Sequence, residues 1–177
     1  MRVILISGKA QHGKDTAARI LRDELESHGN KVLIAHYADL VKYICKTFFN
    51  WDGKKDSYGR HLLQYIGTDV IRSRDPNYWV DFLSEILSFF PDEWDFVLIP
   101  DTRFPNEITK MKESGLDVVH LRIVRDGYES PLTEEQREHP SETALDGVEP
   151  DAWIKNDGNM GALVSVIQTW IKENIYE

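Results

Sequence analysis

The stretch Gly8-Lys9-Ala10-Gln11-His12-Gly13-Lys14-Asp15-Thr16 lies between an apolar run, Val3-Ile4-Leu5-Ile6, and a helix-forming segment, Ala17-Ala18-Arg19-Ile20-Leu21. Its pattern is G-x-x-x-x-G-K. Glycines at both ends let successive backbone N–H groups point inward, and the lysine reaches the phosphates of a nucleotide. The alternative is a glycine-rich turn with a solvated lysine, but a strand-like run and a helix-like segment stand where a phosphate-binding loop needs them. We therefore predict a nucleotide-binding loop.

Seven residues of this loop are expected to contact the phosphates of ATP. They are Gly8, Lys9, His12, Gly13, Lys14, Asp15 and Thr16. Asp15 departs from the usual pattern, because a Ser or Thr normally follows the lysine. Mg²⁺ prefers hard oxygen ligands and keeps several waters, so a carboxylate here can replace the missing hydroxyl. The alternative is that Asp15 only complements the positive end of the following helix.

Length and composition limit the classes of function. A chain of 177 residues suits one three-layer domain and is too short for two full nucleotide-binding units. The net charge of −9 disfavours nonspecific nucleic-acid binding, which needs a basic surface. Met1-Arg2 leads directly into a strand, and no apolar run has the length of a membrane span, so we expect no signal peptide and no membrane association. The single cysteine, Cys45, predicts a buried thiol and a cytoplasmic location.

Strand-like and helix-like segments alternate along the chain, which predicts an α/β sheet with helices on both faces. The strands are expected at about Arg2–Ser7, Lys31–His36, Asp95–Pro100, Asp117–Val124 and Ala152–Lys155. A helix follows the loop and ends near Ser27, and Asp39 is predicted to cap the next one. The apolar face of that second helix is expected to contain Leu40, Ile44, Phe48 and Phe49.

Three further helices are predicted from their apolar spacing. One runs from Tyr58 to about Ser73, with a break at Gly67-Thr68-Asp69 as an alternative. Another runs from Tyr78 to Phe90, and its apolar stripe is expected to contain Trp79, Phe82, Leu83, Ile86 and Leu87. The last lies near the C-terminus, with a stripe formed by Leu163, Val164, Ile167 and Ile171.

Two regions outside the loop carry candidate functional residues. Asp101 follows the apolar strand Phe96–Pro100, at the edge of a parallel sheet where ligands gather, and is a candidate Mg²⁺ ligand. Arginines in so acidic a chain are candidates for contacts with transferred phosphate charge. The polar, turn-rich segment from Asp126 to Pro150 has few apolar residues, and it is either an exposed connection or a lid over bound nucleotide.

Five sequence blocks together resemble the bacteriophage deoxynucleoside monophosphate kinases. The blocks are Gly13-Lys14-Asp15-Thr16, Leu63-Gln64-Tyr65-Ile66-Gly67-Thr68-Asp69, Tyr78-Trp79-Val80, Ile99-Pro100-Asp101-Thr102-Arg103 and Ile154-Lys155-Asn156-Asp157-Gly158. Their order is the same as in that family, and they span nearly the whole chain. The animal type of phosphomevalonate kinase is similar in the loop, in Asp-Thr-Arg and in the late Asn-x-Gly.

The resemblance implies an ATP-dependent phosphotransferase that uses Mg²⁺ and acts on a small-molecule substrate, a dNMP or NMP. It implies one three-layer P-loop domain over residues 1–177, with a five-stranded parallel sheet and helices on both faces. Residues 37–78 would form the acceptor-binding insert and residues 126–150 a lid. A homodimer is possible. The segment between Phe49 and Tyr58 is much shorter than in the phage enzymes, which leaves the base specificity open.

The resemblance and the motifs together assign expected roles. Catalytic roles are expected for Lys14, Asp15, Asp101, Arg103 and Arg125, and metal binding for Asp15, Thr16 and Asp101. Acceptor contacts are expected from Asp39, Arg60, Gln64, Asp69, Arg72 and Arg103. Arg137 and His139-Pro140-Ser141-Glu142 are candidate lid contacts, although Ser-Glu is also a helix-capping pair.

Two alternatives stay open. One is a kinase of another small phosphorylated metabolite, such as phosphomevalonate. The other is a non-catalytic nucleotide-binding protein, which is disfavoured because the chain lacks the Asn-Lys-x-Asp base-recognition motif of GTPases.

Overall fold

Five parallel β-strands form the centre of the protein, in the order β2-β3-β1-β4-β5. This is a computed structural model, and it describes residues 1–54, 56–128, 130 and 132–177. The strands are β1 Arg2–Ser7, β2 Val32–Ile34, β3 Phe96–Ile99, β4 Asp117–Val124 and β5 Ala152–Lys155. The expected parallel sheet is confirmed, with β2 and β3 shorter than predicted. Since β1 lies between β3 and β4, the loop after β1 opens next to the ends of both neighbours.

Eight α-helices connect and cover the strands in the part of the chain that the structure describes. They are α1 Lys14–Ser27, α2 Ala38–Phe49, α3 Ser57–Gln64, α4 Tyr78–Phe89, α5 Pro105–Glu113, α6 Glu134–Glu138, α7 Pro140–Thr143 and α8 Met160–Ile171. The chain continues α3 in π-helical geometry over Tyr65–Arg72, and α8 over Lys172–Tyr176. Gly67-Thr68-Asp69 therefore does not break the helix.

Helices cover both faces of the sheet, so the predicted three-layer fold is confirmed. On one face, α1 and α8 bury Leu21 and Ile167 against Ile4 of β1. On the other, α2, α4 and α5 bury apolar side chains against Val3 and Leu5 of the same strand. The two cores share β1 because successive side chains of a strand point to opposite faces.

The predicted face of α2 was partly wrong: Leu40 and Ile44 pack against the core, but Phe48 and Phe49 do not. Val41 and Cys45 are its buried residues, which confirms the buried thiol, whereas Phe48 is 69% exposed. Asp39 also does not cap the N-terminus of α2: its carboxylate accepts from the amide of His36, outside the helix, and pairs with Lys42. Apolar residues surround much of α2, so their spacing did not identify the side that packs on the sheet.

The stripe of α4 was partly wrong. Trp79, Val80 and Leu87 are buried, but Phe82 and Ile86 are exposed. The indole N–H of Trp79 donates to the carbonyl of Gly67 at 2.9 Å, which fixes α4 against the π-helical segment. Trp79 is therefore a core residue, as predicted.

The segment from Asp126 to Pro150 contributes more to the core than its composition predicted. Leu145 and Pro150 are both buried. Residues Glu129 and Pro131 of this segment lie outside the described residues.

Leu87→Ala is expected to lower the free energy of unfolding by about 2–5 kcal/mol, because it leaves a cavity at a fully buried position of α4. Phe89→Ala, two residues away and 67% exposed, is the control and should change it by less than about 0.5 kcal/mol. Chemical denaturation measures both. Equal losses would show that α4 does not pack on the sheet as described.

Candidate active site

The glycine-rich loop leaves β1 through backbone conformations that favour glycine. Gly8 has φ +146° and Gly13 has φ +99°. A Cβ on Gly8 would lie 2.4 Å from the carbonyl oxygen of Ile123 on β4, so any side chain there would force the loop off the sheet. The loop then delivers Lys14 as the first residue of α1, whose free N–H groups point toward the loop's concave side.

The late Asn-Asp-Gly block supports this loop from behind. The side-chain amide of Asn156 donates to the carbonyl of His12 at 2.9 Å, and a Cβ on Gly13 would lie 2.6 Å from the same nitrogen. The ring of His12 accepts in turn from the amide of Arg125 at 3.2 Å. Burial lowers the pKa of His12, so the ring is neutral and able to accept. Two segments distant in sequence, at Asn156 and Arg125, thus fix one loop.

Lys14 is a buried lysine with its ammonium group turned onto the loop. Its Nζ donates to the carbonyls of Gly8 at 2.7 Å and Lys9 at 2.9 Å. Burial, followed by repulsion from Arg103, lowers the pKa of Lys14 to about 8. An anion in the loop would favour the charged form of this lysine.

Asp101 holds the N-terminus of α2. Its two carboxylate oxygens accept from the amides of Tyr37 and Ala38, each at 3.0 Å. Burial raises the pKa of Asp101, while these two amides, His36 and Arg103 oppose the shift. The helix cap that was predicted at Asp39 is therefore supplied by a residue from the end of β3.

Asp15 and Thr16, the other predicted metal ligands, lie at the start of α1. The Asp15 side chain is 74% exposed, and one of its oxygens lies 3.6 Å from Nε2 of His36. No group of three or more His, Cys, Asp or Glu side chains among the described residues could by itself hold a metal ion. Exposed hard oxygens beside a phosphate-binding loop nevertheless fit Mg²⁺, which keeps waters and takes the remaining ligands from phosphate.

Arg103 lies between two neighbouring cavities, one of them beside the glycine-rich loop. It lines a cavity of about 230 Å³ beside Gly8, Lys9 and Arg125. It also lines a cleft of about 300 Å³ between α2, α3 and α5, which we call the acceptor cleft because several of the predicted acceptor residues line it. Its amide donates to Glu107 at 2.7 Å, which fixes the backbone where β3 turns into α5.

The predicted acceptor residues differ in where the structure places them. Gln64 and Arg72 line the acceptor cleft, and Arg60 lines a neighbouring cavity that shares Gln64 and Arg103 with it. Thr68, rather than the exposed Asp69, faces the cleft. Asp39 lies on α2 in its pair with Lys42, and Lys42 lines the cleft.

Arg72 is held firmly in the wall of the acceptor cleft. Its Nη2 lies 2.5 Å from Oε1 of the buried Glu107, and its guanidinium lies 3.9 Å from the ring centre of Phe104. Burial raises the pKa of Glu107, and Arg72 opposes that shift. A guanidinium so fully paired shapes the cleft more than it offers free charge.

Arg125 lies at the end of β4, on the loop side. Its guanidinium lies 4.5 Å from the ring centre of Tyr128, whose hydroxyl donates to the side chain of Gln11. Tyr128, His36 and Glu107 were not singled out from the sequence. Their contacts join segments that are far apart in the chain, so no local sequence motif indicates them.

Comparison with known proteins identifies the family. Residues 29–167 match the model of the family described as deoxynucleotide monophosphate kinase. The chain belongs to the deoxynucleotide monophosphate kinase family. The resemblance drawn from the five sequence blocks is therefore confirmed.

Two viral members of this family are similar in sequence. The deoxynucleotide monophosphate kinase of Enterobacteria phage T4 is 34% identical over 115 residues, which are 64% of this chain and 45% of that protein. The enzyme of Escherichia phage RB69 is 33% identical over 111 residues, 62% of this chain and 43% of that protein. The alignments therefore span less than half of each relative.

Solved structures of several small-molecule kinases share the fold. A sugar kinase from Janibacter sp. superposes with a TM-score of 0.56 at 17% identity, covering 97% of this chain and 94% of that one. Shikimate kinase from Aquifex aeolicus gives 0.53 at 16%, covering 99% of both chains. The APS kinase CysC of Mycobacterium tuberculosis, in complex with AMPPNP and APS, gives 0.53 at 14%, covering 97% and 95%. At these identities the likeness establishes the α/β P-loop fold.

Within the described residues, every helix is too short or too polar to span a lipid bilayer.

Asp101→Asn is expected to lower the free energy of unfolding by about 1–3 kcal/mol, because an amide nitrogen then faces one of the two N–H groups that start α2. The control is Asp39→Asn in the same region, which removes a partly exposed ion pair and should cost less than about 1 kcal/mol. Denaturant titration at pH 7 measures both. Equal effects would contradict the capping role of Asp101.

Proposed function

We propose that this protein transfers the γ-phosphoryl group of ATP to a deoxynucleoside monophosphate. One observation carries the proposal: Arg103 lines both the cavity against the phosphate-binding loop and the acceptor cleft. A guanidinium shared by two neighbouring anion sites is positioned to stabilise charge on a phosphoryl group that passes between them. Family membership makes a deoxynucleotide the expected acceptor.

The donor side consists of the loop and the segments around it. The loop backbone from Gly8 to Gly13 and the ammonium group of Lys14 would bind the β- and γ-phosphates. Lys9, His12, Asp15 and Thr16 would complete this shell, and Arg125 would contact the nucleotide from the end of β4. Residues 126–150 would act as the lid that excludes water, which otherwise competes as phosphoryl acceptor.

The acceptor side lies within residues 37–78 and the start of α5. Arg60 and Arg103 would contact the phosphate of the acceptor, and Gln64 its sugar or base. Arg72 would maintain the wall of the cleft through Glu107. Asp39 and Asp69 stay candidate acceptor contacts, although neither lines the acceptor cleft as Gln64 does.

The transfer needs no covalent intermediate on the protein. An oxygen of the acceptor phosphate attacks the γ-phosphorus, the bond to the β,γ-bridging oxygen breaks, and ADP leaves with that oxygen. Lys14 and Arg103 would neutralise the charge that spreads over the transferring group. Mg²⁺, held beside the loop by Asp15 and Thr16 with Asp101 nearby, would supply further charge neutralisation on the phosphates when bound. Cytoplasmic activity and a homodimer stay predictions.

The proposal is tested by measuring ADP release from ATP and Mg²⁺ across all common NMPs, dNMPs and phosphomevalonate. We expect at least one dNMP to stimulate release strongly, and Lys14→Ala to reduce this activity by about 3 kcal/mol or more in transition-state stabilisation, roughly 100-fold. Stimulation by phosphomevalonate alone would indicate a metabolite kinase. ATP binding without stimulation by any acceptor would indicate a binding protein.

Arg60→Ala is expected to raise the KM for the acceptor about tenfold or more, because an arginine–phosphate contact contributes about 1.5–3 kcal/mol. The Kd for ATP should stay within twofold of the unmodified protein. Arg74→Ala, an exposed arginine beyond the acceptor cleft, is the control and should leave both values unchanged. An equal loss of ATP affinity in Arg60→Ala would refute the acceptor role.

A further inference from the structure

The carboxylate of Glu142, on the short helix α7, lies inside the phosphate-binding site. Its Oε2 accepts from the loop amide of Ala10 at 2.9 Å, and its Oε1 pairs with Nη1 of Arg103. The side chain is only 9% exposed. A backbone N–H of the loop and an arginine N–H are donors of the kind that a nucleotide phosphate uses.

The backbone around Glu142 also accepts hydrogen bonds from two cations beside the loop, Lys9 and Arg103. Lys9 donates to the carbonyl of Glu142 at 2.6 Å and pairs with the carboxylate of Asp146. Arg103 also donates to the carbonyl of Ser141 at 2.9 Å. Residues 141–146 thus neutralise two of the cations beside the loop, while Lys14 is turned onto loop carbonyls.

A nucleotide phosphate would compete with Glu142 for these donors, because the amide of Ala10 has a single N–H. Each phosphate group carries negative charge, and a carboxylate held on the same amide and guanidinium would repel it across a partly buried site. ATP binding therefore requires the carboxylate to leave.

We propose that Glu142 is a built-in anionic ligand of the phosphate-binding loop, which occupies the place of a nucleotide phosphate and is displaced by ATP. The inference rests on the proposed function, since ATP is the competitor. It makes Glu142 a determinant of nucleotide affinity: the loop's affinity for ATP is reduced by whatever free energy the carboxylate contributes to the free protein.

The displacement also reaches the acceptor cleft. His139, at the other end of the same turn, lies with its Nε2 2.8 Å from the side-chain amide nitrogen of Gln64. Moving α7 away from the loop breaks this contact and releases both Gln64 and Arg103 toward the acceptor. ATP binding should therefore increase acceptor affinity in the unmodified protein.

The test is the Kd for ATP, measured by isothermal titration calorimetry at fixed ionic strength with and without Mg²⁺, for the unmodified protein, Glu142→Gln and Glu138→Gln. Glu142→Gln keeps the size of the side chain but removes the charge, and an amide nitrogen cannot pair with Arg103. We expect it to bind ATP at least fivefold more tightly. Glu138→Gln makes the same charge change at an exposed position of α6 and should stay within twofold.

Unchanged or weaker ATP binding in Glu142→Gln overturns the inference, because the carboxylate would then be neutral to binding or part of the bound state. Glu142→Asp covers the case in which the glutamine variant does not fold. It keeps the charge but is one methylene shorter, so it cannot bridge Ala10 and Arg103 and should also bind ATP more tightly. Melting curves establish that each variant is folded.

Tripolyphosphate as a second probe separates this inference from the proposed function. If the unmodified protein and Glu142→Gln have the same Kd for ATP, and also the same Kd for tripolyphosphate, the role of Glu142 is contradicted. The kinase proposal then still stands. If neither ligand binds to any folded variant, including Glu142→Gln, both proposals are wrong.

Discussion

Several positive charges meet at one edge of the parallel sheet, and the rest of the site is arranged around their neutralisation. Lys14 and Arg103 lie in the segments that follow two adjacent strands, β1 and β3, so the topology itself brings them together. Burial of Lys14 and, after it, repulsion from Arg103 lower the pKa of that lysine to about 8. Such a cluster is stable in the free protein only if anions lie close to it, and it has high affinity for phosphate for the same reason.

Carboxylates from distant segments meet this requirement in two different ways. Asp101 and Glu107 accept from backbone amides and form the frame of the site. Asp101 caps the N-terminus of α2, and Glu107 pairs with Arg72 and accepts from the amide of Arg103. Glu142, on α7, and Asp146, just after it, belong to the segment between β4 and β5 and pair with Arg103 and Lys9 beside the loop. The first pair is part of the frame of the site. The second pair is the one whose place at the cations a substrate phosphate would take in the displacement proposed above.

The interpretation of helix faces shows where sequence patterns reach their limit. On α2 and α4, apolar residues lie on more than one side, and the spacing favoured Phe48, Phe82 and Ile86 as core positions that are in fact exposed. The strands and the stripe of α8 were predicted well, because a strand buried on both faces and a helix with one apolar side leave no choice of orientation. Asp39 was a plausible helix cap by its position, but the carboxylate of Asp101, which follows β3, took that role.

The sequence by itself determined the phosphate-binding loop, the five parallel strands and the family, because glycine conformation, apolar periodicity and short motifs are properties of neighbouring residues. Tertiary structure alone decided which charges meet. The amide of Ala10 and the carboxylate of Glu142, for example, are 132 residues apart in the chain. Their contact depends on how the sheet orders its strands and on where the segment after β4 folds back, and neither is encoded in any local pattern.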